Sequence, residues 1–298
     1  MRTAAIDAMC AGNRTRRRVL ATGTALAAAA GLRPVRLRAA PGDDAASPVH
    51  SVSVVPQFAA NDIDRDWSPL LARLGERIGA RLVLQVARTI PAFERALWQG
   101  TPDFAFMNPY HQVLARRAAG YEPLVRDARA LSGILVTRAD GPVRSLRDLE
   151  GREVAFPAPN AFGASLWMRA LLAEREGLRI LPRYVTTHGN VYRQVLLGLK
   201  AAGGGVNATL AQERPEVRRG LRVLLETPGV ASHPIGAHPR VPLALRAAFA
   251  DAMLSMAGDA DAALLAAVRL NRVVPADYAR DYAPLEAYHL DRYVVKGS

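Results

Sequence analysis

The sequence predicts an α/β protein of two domains, in which helices cover both faces of sheets whose strands run mostly in parallel. Short apolar runs that suit buried strands alternate along the chain with helical stretches of roughly 10 to 16 residues. The chain has 298 residues, of which 50% are apolar, so it can bury two cores of ordinary size. Several predicted strands end directly before a predicted helix, and the sequence contains no internal repeat.

The first 40 residues have the composition of an export leader. They hold eight arginines and one acidic residue, and the stretch TRRRVLATGTALAAAAGL sets Arg16 and Arg17 before about a dozen small or apolar residues. Such a run is too short to span a membrane. The paired arginines resemble a twin-arginine (Tat) export signal, and an ordinary secretory leader is the alternative. We therefore predict a leader over residues 1–40 and a mature protein that is soluble in the periplasm.

The net charge of +12 is concentrated in this leader, which contributes +7 and leaves +5 for the rest of the chain. No block of five or six like charges follows the leader, so nucleic acid is not expected as a partner. The single cysteine, Cys10, is removed with the leader. The mature protein is therefore expected to have no disulfide and no thiolate metal site.

After a linker at residues 41 to 48, the first predicted elements are a strand and a long helix. The strand SVSVV, at residues 51 to 55, stops at Pro56. Ser68 and Pro69 then match an N-cap and a first-turn proline, which predicts that the helix starts there. One face of this helix carries the apolar residues Trp67, Leu70, Leu71, Leu74 and Ile78.

The rest of the chain continues the alternation of strands and helices. Pro91 opens the next helix and Gly100 ends it. Further strands are predicted at residues 81–86, 104–107, 132–137, 153–157, 183–187, 204–208 and 222–226. Further helices are predicted near residues 161–176, 190–201, 242–257 and 259–270. The glycine-rich AAGGGV segment has neither the GxxxxGK[ST] nor the GxGxxG spacing of a phosphate-binding loop.

Three asparagines, Asn108, Asn160 and Asn190, stand where a predicted strand gives way to a helix. Asparagine is a favoured N-cap, so each could simply start its helix. However, the carboxyl ends of parallel strands border a common crevice, and helices that start there direct free N–H groups and a partial positive charge into it. Three such starts around one cleft would form a binding site for a small anion.

Polar side chains near these strand ends are the candidate ligand contacts. In the first domain they are Gln57, Asn108 and Tyr110. In the second domain they are Asn160, Ser165, Thr187, His188, Asn190 and Tyr192. No prosthetic group and no catalytic or metal-binding residue is predicted.

Several segments resemble the periplasmic phosphate, phosphite and phosphonate binding proteins of ABC importers, the PhnD-like group. The similarity runs from about residue 52 to 275, through VSVVPQF, DFAFMNPYH, GILVTRADGPVRSLRDLEGREVAFPAPNAFGAS, YVTTHGNVYRQVLLGLKAAGGGV and GVASHPIGAHPRVP. The resemblance implies a type II periplasmic binding fold, with two α/β lobes joined by a two-stranded hinge. It also implies a monomer that binds a small anionic solute and delivers it to an ABC permease in the inner membrane.

On this resemblance, residues 49–137 and 236–298 form the first lobe and residues 138–235 the second, with GILVTRAD and VASHPIGAHP as the two crossings. The chain departs from the family at the turn NAFGAS, which lacks the usual Ser/Thr-rich sequence. It also has Gly189 where the family has an acidic residue after the histidine. Because a carboxylate there would suit an amino group, an aminoalkyl phosphonate is disfavoured, and a phosphate-like anion remains open.

Two other functions remain alternatives. The same lobes could present their ligand to a membrane histidine kinase, so that the protein senses a solute instead of importing it. An exported hydrolase is the least favoured alternative, because there is no GxSxG turn and no pair of carboxylates at the strand ends. The motif SHPIGAH places His233 and His238 five residues apart with no adjacent carboxylate, so it is interpreted as hinge packing and not as a zinc site.

Overall fold

The computed structural model describes residues 48–295, so the predicted leader and most of the predicted linker lie outside the described residues. Within this range the chain forms two sheets flanked by helices. The strands are β1 Val49–Val54, β2 Arg81–Val86, β3 Phe104–Phe106, β4 Glu122–Asp127, β5 Gly133–Arg138, β6 Glu153–Phe156, β7 Leu181–Tyr184, β8 Ala202–Val206, β9 Leu221–Glu226, β10 Pro234–Ala237 and β11 Val273–Pro275.

The helices lie between these strands and after them. They are α1 Ala60–Ile78, α2 Ile90–Trp98, α3 Pro109–Ala119, α4 Trp167–Ala170, α5 His188–Leu196, α6 Asn207–Ala211, α7 Pro215–Gly220, α8 Leu243–Met256, α9 Ala262–Ala267 and α10 Tyr278–Asp281. Wider π-helical turns, Phe162–Leu166 and Leu171–Arg175, extend α4 at both ends, so the helical segment runs from residue 162 to 175. None of the helices between residues 48 and 295 is long and apolar enough to cross a membrane.

Most strands of each sheet run in the same direction. The first sheet has the order β11-β4-β10-β3-β1-β2, and the second has the order β7-β6-β8-β5-β9. β10 pairs antiparallel with both β3 and β4, so β1, β2, β3 and β4 share one direction. In the second sheet β5 is antiparallel to both neighbours, and the other four strands share one direction. The carboxyl ends of the parallel strands therefore lie together at one edge of each sheet.

The chain passes between the sheets twice, after β4 and after β9. The two passages touch at one antiparallel bridge, in which the amides of Leu131 and Val230 donate to each other's carbonyls at 2.9 and 3.0 Å. The predicted lobe boundary differs from the boundary between the two sheets. Residues up to 137 were predicted to belong to the first lobe. However, β5, at Gly133–Arg138, pairs with β8 and β9 and therefore belongs to the second sheet.

Apolar side chains form separate cores for the two sheets and a further cluster between them. The first core is built by α1, α8 and the inner face of β1 and β3. Two smaller clusters cover the faces of the second sheet. In the cluster between the sheets, the rings of Tyr110, Phe162 and Trp167 stack in series with centroids 5.4 to 6.2 Å apart, and the exposed ring of Tyr288 stacks on Trp167 at 4.9 Å. This packing draws the helix starts of both sheets together.

The predicted start of the first helix is wrong. Ser68 and Pro69 lie inside α1, which begins at Ala60, and the Ser68 hydroxyl donates to Asp64 Oδ1 at 2.8 Å. The apolar residues Ile63 and Trp67 extend the buried face upstream, so burial on this face outweighs the backbone hydrogen bond that Pro69 lacks. β4 and β11 were also not predicted. Only some of their residues are buried, and β11 has just three residues.

Candidate functional site

Four helix starts converge on one small cavity between the sheets. Helices α2, α3 and α5 and the helical segment 162–175 all begin at its wall. The residues that line it are Val55, Gln57, Ile90, Asn108, Ala161, Phe162, Gly163, Ala164, His188, Val206 and His233. The cavity volume of about 10 Å³ is room for about one water molecule.

Local capping side chains place three of these starts. The Thr89 hydroxyl accepts a hydrogen bond from Ala92 N at 3.2 Å, and the Asn108 carbonyl oxygen Oδ1 accepts one from His111 N at 2.7 Å. The Thr187 hydroxyl likewise accepts from Asn190 N at 3.2 Å. Each cap satisfies one amide and leaves the axis of its helix directed at the cavity with its positive end.

The segment 162–175 brings unpaired amides to the cavity. Among the described residues, the N–H groups of Phe162, Gly163 and Ala164 have no hydrogen-bond acceptor. The glycines of the neighbouring strands allow this helix start to lie against the second sheet. A Cβ atom on Gly133 would lie 2.2 Å from the carbonyl oxygen of Gly163, and one on Gly204 would lie 1.9 Å from that of Ala164. The AGGGV strand is therefore glycine-rich because it is packed closely on both sides: Gly204 meets the backbone of the segment 162–175, and Gly203 and Gly205 meet side chains of α5.

The side chains that line the cavity include donors. Within residues 48–295, none of the lining residues is a lysine, arginine, aspartate or glutamate. Burial lowers the pKa of His188 to about 4 and that of His233 to about 3, so both imidazoles are neutral at pH 7. Any positive potential in the cavity therefore comes from the helix starts and from neutral N–H donors.

Asn108 and Asn160 join the two sheets at this point. The Asn108 amide Nδ2 donates to the backbone carbonyl of Asn160 at 3.3 Å, and both residues are about 95% buried. Asn160 does not line the cavity with its side chain. Its Nδ2 donates to Glu94 Oε2 at 2.9 Å and to the Val295 carbonyl at 3.0 Å, while its Oδ1 accepts from Val295 N at 3.0 Å.

Glu94 and His111 extend this contact into the first lobe. His111 Nε2 donates to Glu94 Oε1 at 2.9 Å, so the two carboxylate oxygens of Glu94 have different partners, one in each lobe. Glu94 is 5% exposed and His111 is 1% exposed. The pair therefore forms a buried polar network that holds Asn160, and with it the C-terminal segment, to helices α2 and α3.

Of the predicted contacts, Gln57, Asn108 and His188 line the cavity. Ser165 is buried one position beyond the lining residues, and its hydroxyl accepts from Arg169 Nε at 3.3 Å. Tyr110 stacks on Phe162 with ring centroids 6.2 Å apart, and burial raises the pKa of its phenol. Both side chains therefore take part in packing around the cavity, not in its lining.

The remaining predicted contacts belong to the structure of α5. Thr187 caps this helix, and the Asn190 amide donates to the Val185 carbonyl at 2.8 Å. The Tyr192 hydroxyl is 2.7 Å from the Thr209 hydroxyl, inside the core of the second lobe. His188 is the member of this group that reaches the cavity, where its Nδ1 lies 3.3 Å from the Thr209 hydroxyl.

A second and larger cavity of about 260 Å³ adjoins the first. The two cavities share four lining residues, Val55, Gln57, Val206 and His233. The larger one lies beside the passages between the sheets, and its other walls come from α1, α6 and the segment before β5. Its lining is mainly apolar and includes three aromatic side chains, Phe58, Trp67 and Phe106.

Sequence reasoning missed two features of this site. His233, interpreted as hinge packing, lines both cavities, and its Nε2 is buried without a hydrogen-bond partner in the described part of the chain. The network formed by Glu94 and His111 was also missed. The sequence did contain a signal for this network. Glu94 follows Phe93 in the middle of the apolar face of α2, and an acidic residue is buried at such a position only when it has a partner.

The family model described as ABC transporter, phosphonate, periplasmic substrate-binding protein matches residues 52–282 of the chain. Solved structures share the fold. A binding protein component of an ABC phosphonate transporter from Pseudomonas aeruginosa superposes with a TM-score of 0.71, at 14% identity over 83% of this chain and 88% of that one. No curated protein sequence matches the chain.

Two other solved structures carry ligands. PhnD1 from Prochlorococcus marinus, in complex with methylphosphonate, has a TM-score of 0.72 and 13% identity, and covers 80% of this chain and 96% of that one. XAC2383 from Xanthomonas citri, bound to ATP, has a TM-score of 0.69 and 19% identity, with 83% and 98% covered. At these identities the likeness shows the fold alone. It confirms the predicted two-lobed binding fold, with mostly parallel sheets joined by two crossings.

Proposed function

Because this chain belongs to the family of periplasmic substrate-binding proteins of phosphonate ABC transporters, we propose that it binds the phosphonate or phosphate-like group of its solute where the four helix starts converge. The family works with an ABC permease in the inner membrane and is a family of solute-binding proteins, not of enzymes. It does not favour the sensory alternative with a histidine kinase.

The observation that supports this site is the meeting of helix starts from both lobes at one cavity without charged side chains. A bound oxyanion could accept from the free amides of Phe162, Gly163 and Ala164. Each helix start adds about half a positive charge, which favours an anion in a site that excludes water. The protein would therefore recognise the oxygen atoms of the anion through neutral N–H donors, without a positively charged side chain in the lining.

Side chains from both lobes would complete the coordination. Gln57 approaches from the first lobe and His188 from the second. A neutral imidazole can donate one hydrogen bond, and we propose the tautomer in which Nδ1 of His188 accepts from the Thr209 hydroxyl and Nε2 donates to the anion. The absence of a carboxylate from the lining disfavours a ligand with an amino group beside the acid.

Binding requires the lobes to part and close. A cavity with room for one water molecule is too small for a tetrahedral oxyanion, so the helix starts must separate to admit it. The bridge between Leu131 and Val230 is the simplest place for that rotation, because both passages between the sheets meet there. We propose that closure on the anion is the state that the permease recognises, with the protein acting as a monomer.

Titration of the purified protein by calorimetry, with methylphosphonate, phosphite, phosphate, sulfate and acetate, tests this function. We expect a tetrahedral oxyanion to bind, and His188→Asn to weaken its binding by about tenfold, as expected for loss of one hydrogen bond to a charged group. His289→Asn, at an exposed histidine outside both cavities, is the matched control. If no oxyanion binds, or if His188→Asn and the control behave alike, the proposed site is wrong.

We also propose that residues 1–40 direct export through the twin-arginine route. Periplasmic binding proteins of ABC importers act in the periplasm, and the paired arginines Arg16 and Arg17 match such a signal. Replacing both with lysine should leave the protein in the cytoplasmic fraction. Unchanged delivery to the periplasm would favour an ordinary secretory leader.

A further inference from the structure

We propose that the larger cavity receives an apolar, ring-containing substituent of the ligand, so that the solute is an organophosphonate with an aryl group and not phosphate itself. This inference rests on the proposed function, because it assumes that the anionic group occupies the small cavity. It adds the kind of substituent on the phosphonate, which neither the family nor the helix starts specify.

The two cavities adjoin each other. Val55, Gln57, Val206 and His233 line both, so once the lobes have parted, a molecule with its anionic group at the helix starts can extend past these four residues into the larger space. Val55 follows β1 and Val206 ends β8, so the junction lies between the strand ends of the two lobes. Each cavity has lining residues from both lobes, so a ligand that spans the junction would contact both lobes in each cavity.

The size of the larger cavity suits a ring. Its volume is about 260 Å³, and an apolar cavity of about 150 Å³ is sufficient to bind benzene. Phosphate or methylphosphonate would leave this space filled with water. Burial of an apolar group there would release that water and add to the affinity.

The walls suit an aromatic substituent. Trp67 and Phe106 pack against each other with ring centroids 4.9 Å apart, and Phe58 is covered on one face by the Arg269 guanidinium at 4.0 Å. Ile63 and Leu270 complete this apolar surface. Aromatic rings are stabilised beyond the burial of their surface when a further ring stacks on them or meets them edge to face.

His233 gives independent evidence for a ligand at the junction. The residue is 92% buried and stacks on Phe106, with ring centroids 5.4 Å apart. Its Nε2 has no hydrogen-bond partner among the described residues, although a buried polar group without a partner is unfavourable. A phosphonate oxygen at the junction would accept from this nitrogen, while the attached ring lies against Phe106.

The charged residues that line the larger cavity have partners within the protein. Asp127 accepts from the backbone amides of Arg129 and Arg272 at 2.8 and 3.0 Å. Arg269 donates to Asp66 at 3.4 Å and bonds Gln212 of the other lobe. These charges are therefore satisfied within the protein, and the rest of the lining is mainly apolar, which suits an uncharged ring.

The test compares phenylphosphonate with methylphosphonate by calorimetry on the purified protein. Both carry the same anionic group, so their difference reports the larger cavity. We expect phenylphosphonate to bind about tenfold more tightly or better. Ala208→Phe, which narrows the larger cavity from α6, should remove this preference and leave methylphosphonate affinity within about twofold.

Two further variants make the test specific. Ala263→Phe, at an exposed alanine on α9 outside both cavities, is the matched control and should bind both compounds as the unaltered protein does. Phe58→Leu, at a partly exposed position, should reduce phenylphosphonate affinity selectively even if Ala208→Phe folds poorly.

The outcomes separate the two proposals. Equal affinity for the two phosphonates, or equal losses of both in Ala208→Phe, would overturn the assignment of the larger cavity and leave the anion site intact. If methylphosphonate alone bound, the assignment of the larger cavity would be overturned and the anion site would stand. If neither phosphonate bound, both proposals would be overturned together.

Discussion

Replacing Asn160 with alanine is expected to destabilise the protein far more than an ordinary polar substitution. The side chain makes three hydrogen bonds, two to the backbone of Val295 and one to Glu94 Oε2, and the residue is 5% exposed. It thereby joins the second lobe to the first and to the C-terminal segment. The substitution removes these links without creating a bulky or strained group.

The magnitude follows from the fate of each partner. The bond to the Glu94 carboxylate contributes about 1.5 to 3 kcal/mol, because Glu94 stays buried and its Oε2 then has no replacement. The two bonds to Val295 contribute less, because that residue is exposed and its backbone can turn to water. We expect the free energy of unfolding to fall by about 3 kcal/mol.

Urea unfolding at pH 7 measures this change. Asn190→Ala is the matched control, because Asn190 also bonds through its side chain, but only within one lobe and at a partly exposed position. It should cost about 1 kcal/mol. A double-mutant cycle with Glu94→Gln should show coupling of about 1 kcal/mol or more, since the two residues share one bond. A loss below about 0.5 kcal/mol, or no coupling, would refute the network as a link between the lobes.

Two further predictions concern pH and packing. Burial lowers the pKa values of His188 and His233 to about 4 and about 3, so the unfolded chain takes up protons below about pH 6.5 while the folded chain does not. The free energy of unfolding should therefore fall as the pH drops, by about 1.6 kcal/mol for each histidine between pH 6.5 and 5. His188→Asn should flatten this slope in urea titrations, and a slope unchanged by the substitution would contradict the assignment. Gly204→Ala places a Cβ atom 1.9 Å from the Ala164 carbonyl oxygen, and should lower the unfolding free energy by about 3 kcal/mol. Gly189→Ala, whose Cβ would meet nothing closer than 3.4 Å, should be nearly neutral, and equal effects of the two substitutions would show that the close packing is not required.

The order of elements and most helix starts could be predicted because their signals are local. The helix start at Pro91 lies within one residue of the observed start of α2, and Asn108 followed by Pro109 starts α3 as predicted. A cap and a first-turn proline act on amides within the same turn, so the sequence contains both partners. Ser68 and Pro69 form the same local signal, yet α1 begins at Ala60 and continues past both residues, because its buried face extends upstream of them.

The amino-acid sequence by itself determined the family, the alternation of strands and helices, and the helix starts that face one cleft. The tertiary structure decided which side chains face the cavity. Asn160 finds its partners 66 and 135 residues away, and His233 reaches both cavities only because β10 returns to the first sheet. Capping joins atoms close in sequence, whereas the partners of a buried polar group come from segments brought together only by folding.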